Sequence, residues 1–151
     1  MPGSLSSKAP KGSRAPSPLD SGIFLPGFTT VHANSPRDAL ARLENMFSMA
    51  NLNLPERAMR HQIASAIHAV VQIARLSDGT RKVISISEVT GMEDETVAMQ
   101  QIFEFERVGI DETGKVRGHF RASGIRPKFA DRLATGGCRL RPAIFDSRME
   151  V

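Results

Sequence analysis

The chain has 151 residues, 40 % hydrophobic and 24 % charged, with one cysteine and a formal net charge of +4; this is the length and composition of a single ordinary globular domain. The lone Cys138 excludes an intrachain disulfide and suits a reducing compartment, no apolar run approaches the ~18 residues of a membrane span, and the N-terminus lacks the apolar stretch of a secretory signal, so the expected location is the cytoplasm. Charge is uneven, +2 over residues 1–27, −4 over 28–114 and +6 over 115–151, as expected for complementary faces within a chain or between subunits, or for an anionic partner.

Residues 1–27 are rich in Ser, Pro and Gly without helical or strand period, which predicts a disordered arm that buries too little apolar surface to offset its ordering entropy. "FTTVHA" (28–33) is expected to be a short strand. Ser35 then suits an N-cap, Pro36 the first helical position and Asp38 the third, and Leu40, Leu43, Met46, Phe47 and Ala50 recur at helical spacing. "NLNLP" breaks this helix. A second starts near Pro55, with Met59, Ile63, Ala66, Ile67 and Val70 on one face.

After His68 the period changes. "AVVQIARL" is β-branched and short, Ser77-Asp78-Gly79 signals a turn, and "RKVISISEV" (81–89) alternates with period two, so a hairpin is expected. "TVAMQQIFEFE" (96–106) predicts a third strand, "DETG" (111–114) a turn and "KVRGHFRAS" (115–123) a fourth strand. Pro127 opens a short helix with Phe129 and Leu133 inward, stopped by Gly136-Gly137. The expected class is α/β: two helices, a mostly antiparallel meander and a terminal helix. The early strand would need neighbours that this order does not provide, as in the back half of a larger fold.

Thr29, Thr30, His32, Asn34 and Ser35 place hydroxyls, an imidazole and an amide within seven residues. On a strand over 28–33, alternation puts Thr30, His32 and Asn34 on one side. At the carboxyl end of a strand such groups can contact a phosphate or orient a water. They suit a phosphate sensor, and they also suit capping and turn roles, Ser35 above all; the residue types alone leave both open.

"TTVHANSPRDALARLENM" resembles the histidine box and following helix of secretion ATPases of the type II/type IV superfamily, most of all the branch that assembles Flp-type tight-adherence pili. The segments "LPERAMRHQIASAIHAVVQIARLSDGTRKVISISEVTGME", "MQQIFEFE" and "GKVRGHFRASGIRPKFADRL" are similar to the stretches downstream of the box in that branch, in the same order. The resemblance spans about residues 28–145 as a partial motor domain, with 146–151 as a tail. It implies the C-terminal portion of a RecA-like P-loop NTPase, active as a homo-hexamer that binds ATP and Mg²⁺ and works with pilus or secretion platform proteins at the inner membrane. It further implies that His32, with Thr30 and Asn34, senses the nucleotide, and that Arg75 and Arg81 contact a neighbouring subunit or the nucleotide.

The sequence departs from that pattern. It contains no G-x-x-x-x-G-K-[ST], and no acidic pair precedes the histidine box. The phosphate cradle and the Mg²⁺-holding carboxylates supply most of the catalysis in such motors. This chain alone is therefore expected neither to bind ATP tightly nor to hydrolyse it. His68 and Asp94 stand where the branch more often has Asp and Gly. Two origins fit: a translated remnant of a longer motor gene, or a short non-enzymatic module that joins a full-length ring.

Other clusters carry weaker expectations. His61 and His68, seven apart, would share a face of the second helix and could ligate a metal only with partners from elsewhere. His119 and Cys138 likewise lack metal or nucleophile partners. Glu88, Glu93, Asp94, Glu95, Glu104, Glu106, Asp111 and Glu112 suggest a solvated acidic face. Arg117, Arg121, Arg126, Lys128 and Arg132 form a basic end that could meet acidic lipid or nucleic acid. Only Phe120 and Phe129 interleave them, both at core positions, so a base-stacking platform and nucleic acid are not expected.

Overall fold

The computed structural model describes residues 27–50, 54–146 and 149–150. The Ser/Pro/Gly arm, apart from Gly27, and residues 51–53 lie outside the described residues. The chain divides into two units at Thr30/Val31. Residues 27–30 of the first have no regular element, and every helix and strand described belongs to the second.

Helices α1 (Pro36–Met49) and α2 (Glu56–Ala66) precede strands β1 (Ala69–Arg75), β2 (Arg81–Glu93), β3 (Thr96–Ile110) and β4 (Val116–Ala122). Helix α3 (Phe129–Thr135), a 3-10 turn (Pro142–Phe145) and a two-residue strand β5 (Met149–Glu150) follow. The sheet runs in chain order, β1-β2-β3-β4-β5, and every pairing is antiparallel. The described residues thus form an α/β fold with three helices and a meander of four principal strands.

Local chemistry sets most boundaries. Ser35 caps α1, its Oγ accepting the Asp38 N–H at 3.1 Å, and Pro36 follows at the first helical position. Helix α2 ends where Ile67 turns extended, φ −98° and ψ 121°, at the start of the β-branched run. His68 therefore lies beyond the helix, and His61 and His68 share no helical face. The expected strand over 28–33 is not formed: among the described residues the ladders run from β1 to β5 in chain order and none includes this segment.

Two apolar clusters occupy the two faces. Leu40, Met59, Ile63, Val89 and Val97 join α1 and α2 to the sheet, with Leu43, Phe47, Ile67 and Val70 packed around them. The buried stripe of α1 is narrower than its spacing predicts, since Met46 is 55 % exposed. Arg60 holds the helices together, with Nε 3.1 Å from Glu44 and Nη1 donating to the Glu95 carbonyl at 3.3 Å. On the other face Ile102, Phe103, Ala130 and Phe145 form the second cluster, with the Phe103 and Phe145 rings stacked at 5.8 Å. Helix α3 buries Ala130 and half-buries Phe129, while Leu133, expected inward, is exposed.

Glu88 does not belong to a solvated acidic face. It is 2 % exposed on β2. One carboxylate oxygen accepts the Gln100 amide and the other the backbone N–H of Phe129, each at 2.9 Å. This carboxylate braces the start of α3 against the sheet. Glu93, Asp94, Glu95, Glu104, Glu106 and Glu112 are exposed as expected, and Asp111 is half-buried.

The sheet divides beyond the pairing of Ser85 with Glu104. Past that point β2 continues only with β1 and β3 only with β4. The two hairpin tips are built alike. Asp78 Oδ1 accepts the Thr80 amide and hydroxyl, and Asp111 Oδ1 accepts those of Thr113. Gly79 and Gly114 both take φ +82°. Asp78 then closes the gap, its Oδ2 accepting the Val116 N–H on β4 at 2.8 Å.

These bonds favour the ionised acids. The Val116 N–H, followed by the Thr80 hydroxyl and amide, holds Asp78 at about 2, below its ordinary 3.8. The Thr113 hydroxyl and the Lys115 amide hold Asp111 at about 2 as well. A carboxylate depressed in the folded state stabilises it above the unfolded pKa, and that contribution fades as pH falls from about 4 to about 2. Urea midpoints between pH 5 and 2 are expected to fall for the wild type and to fall less steeply for Asp78→Ala, which starts lower at pH 5. Parallel curves would show that Asp78 carries no such linkage.

Candidate functional site

The polar cluster ahead of α1 opens onto a depression of about 570 Å³ lined by His32, Ala33, Asn34, Asp38, Ala41, Arg42 and Asn45. The wall from α1 is a single stripe: Asp38, Ala41, Arg42 and Asn45 lie at i, i+3, i+4 and i+7. The opposite wall is the segment 32–34. Gln72 of β1 fixes it, its Nε2 donating to the Ala33 carbonyl at 3.0 Å, and the Ser35 cap fixes its far end. His32 and Asn34 thus reach one depression from a segment that forms no strand. Thr30 is exposed and ends the first unit.

Arg42 and Asn45 lie within the run "TTVHANSPRDALARLENM", but the box residues His32, Thr30 and Asn34 alone were expected to act from it. Their signal was the helical period itself, two polar residues on the α1 stripe that continues Asp38. Both are exposed. The depression presents one guanidinium, one imidazole, two amides and one carboxylate. It can donate several hydrogen bonds to an anion, with Asp38 opposing a strongly charged one at its edge.

Arg75 and Arg81 lie elsewhere. Arg75 ends β1 and Arg81 opens β2, directly opposite each other in register. Arg75 Nε donates to the Gly79 carbonyl at 3.2 Å, within its own hairpin. Both are exposed and neither lines the depression.

A comparison of the chain with models of known protein families finds no match, and a comparison with curated protein sequences finds none either.

The donor set can be tested against Mg²⁺ and ATP. Arg42, His32 and the two amides suit phosphate oxygens, but among the described residues Asp38 is the one carboxylate lining the depression. Among the described residues no three His, Cys, Asp or Glu side chains gather closely enough to hold a metal ion. Mg²⁺ takes carboxylate and phosphate oxygens in octahedral array, so the described residues fit one end of an anion and do not fit a complete Mg²⁺–nucleotide site.

The remaining candidate residues are scattered over the sheet and α3. His119 is largely buried on β4, its Nε2 3.5 Å from Glu106 on β3 and without a hydrogen bond among the described residues. Cys138 is exposed. Arg117 pairs with Asp111 and Arg126 with Asp131, at 3.1 and 2.8 Å. Among the described residues no helix is long and apolar enough to cross a membrane.

Proposed function

We propose that the chain is the C-terminal portion of a RecA-like secretion ATPase motor of the tight-adherence pilus branch, contributing one wall of a nucleotide site. The carrying observation is the run "TTVHANSPRDALARLENM" followed in order by the other three resembling segments. The grouping of His32 and Asn34 with Arg42 around one depression favours the reading. In it, His32 and Asn34 donate to a terminal phosphate, Arg42 offsets its charge, and Thr30 belongs to the same box. The P-loop, Mg²⁺ ligands and attacking water belong to a separate half of the site. The motor is a cytoplasmic hexamer peripheral to the inner membrane, working with pilus or secretion platform proteins.

The test supplies the other half in trans. A polypeptide carrying the P-loop and acidic box of such an ATPase is coexpressed with this chain. Copurification and ATP turnover are expected, with turnover falling at least ~100-fold for His32→Ala, as for removal of one charge-stabilising donor. Failure to associate would sink the reading. Arg42→Ala is expected to weaken binding of a fluorescent ATP analogue to the pair while leaving the denaturation midpoint of this chain unchanged, because Arg42 is exposed. The second reading, a non-enzymatic module on a full-length ring, predicts altered turnover when the chain is mixed with an intact ATPase.

A further inference from the structure

Strand β1 is an edge. It pairs with β2 on one side, and among the described residues no strand pairs with its other side. Native edges are commonly blunted by charge, proline or a bulge in the edge strand. β1 has none of these along its middle. The irregularity in its pairing comes from the extra residue Ile84 on β2, and β1 itself keeps strict alternation. Val70, Gln72 and Ala74 turn toward the helices and are half-buried. Val71 and Ile73 turn the other way and are 52 % and 59 % exposed.

We propose that β1 is a self-association edge, pairing antiparallel with β1 of a second copy about a two-fold axis at Gln72. The inner run "VVQIA" is nearly palindromic in chemical character about its central Gln72. Two-fold pairing there sets Val71 opposite Ile73 of the second copy, and Ile73 opposite Val71 of the second copy. Within each copy Val71 already pairs with Ile86, and Ile73 with Val83, across β2. Each cross-strand row then reads Ile86–Val71–Ile73–Val83 through the seam, four apolar residues long, and the second row repeats it by symmetry. Cross-strand apolar pairs of this kind are the unit of sheet stabilisation.

Charge selects the direction. Arg75 and Arg81 already face each other within one copy, which is unfavourable. Parallel pairing would bring the two Arg75 side chains together along the seam. Antiparallel pairing sets each Arg75 opposite Ala69 of the other copy and moves the two guanidinium groups to opposite ends, about 20 Å apart at ~3.3 Å per residue. The interface is isologous and closes at two copies. A single strand edge buries less than a standard interface, so the dimer is weak and depends on concentration. The proposal stands independently of the reading as a motor and differs from a ring.

The test uses the full chain. Sedimentation across a concentration series is expected to show monomer and dimer, with association weakened at least ~10-fold by Ile73→Lys, a charge placed at the seam. A second measurement fixes the register. In a Cys138→Ser background, Val71→Cys and Ile73→Cys chains are prepared separately and then mixed under mild oxidation. The mixture is expected to give a disulfide-linked heterodimer well above the homodimer yield of either chain alone. A monomer at every concentration, a hexamer untouched by Ile73→Lys, or equal linking of Val71→Cys to itself would each overturn the proposal.

Discussion

Glu88→Ala is expected to lower the stability of the fold by about 2–4 kcal/mol, because two half-buried donors lose their buried acceptor at once. The carboxylate is 2 % exposed, and it takes the Gln100 amide through one oxygen and the Phe129 N–H through the other. Removing it also removes the desolvation cost of a buried charge, which sets the upper limit on the loss. Glu88→Gln keeps one acceptor oxygen but turns an amide donor toward the second site, so it should cost roughly half as much. Urea denaturation gives the ranking, and hydrogen exchange at Phe129 gives the mechanism. That amide should exchange faster in both variants than in the wild type. An unchanged midpoint with unchanged Phe129 protection would mean that Glu88 does not brace α3.

Gly118→Ala is expected to be comparably damaging, at about 3 kcal/mol, by overpacking where backbone limits relaxation. A Cβ at this position of β4 would fall 2.5 Å from the Glu106 carbonyl oxygen and closer still to the Phe105 ring. The ring is held on its own account, with Phe120 edge-on at 5.9 Å and the Lys82 ammonium 5.3 Å over its face. Phe105→Leu should rescue Gly118→Ala only in part, because it frees the ring contact and leaves the carbonyl where it is. Full rescue, measured by the same denaturation experiment, would show that the aromatic contact alone forbids a side chain there.

Residue pattern made the elements legible wherever a local rule acts alone. Ser35-Pro36 marks the start of α1, and alternation with β-branched residues marks β1 and β2. Asp78-Gly79 and Asp111 to Gly114 mark tips whose Asp side chains bond two residues onward. What escaped the sequence depends on partners distant along the chain. Residues 28–33 alternate like a strand, yet strandhood is a property of a pair. Leu133 sits at a core spacing in α3, but the helix packs through Ala130, because Phe145 from the 3-10 turn shares that face of the sheet. Glu88 sits among eight acidic residues, and only its place opposite Gln100 and beneath the start of α3 sets it apart. At the candidate site His32 and Asn34 were legible from residue type. Arg42 and Asn45 required the further step of carrying a helical stripe onward from Asp38.

The Asp78–Val116 bond has a consequence for folding rate. From β1 to β4 the sheet is a meander, so each of these strands can zip onto its predecessor through a short loop, and neither hairpin needs the other in order to form. The bond between the tips spans 38 residues and can close only after both hairpins exist. An interaction formed that late is missing from the transition state, and its loss falls on escape from the native state. Asp78→Ala should therefore unfold faster while refolding at nearly the wild-type rate, and a slowed refolding arm would place tip closure earlier. The β2–β3 ladder joins the two hairpins, and this one aspartate adds a late clasp at their otherwise unpaired ends.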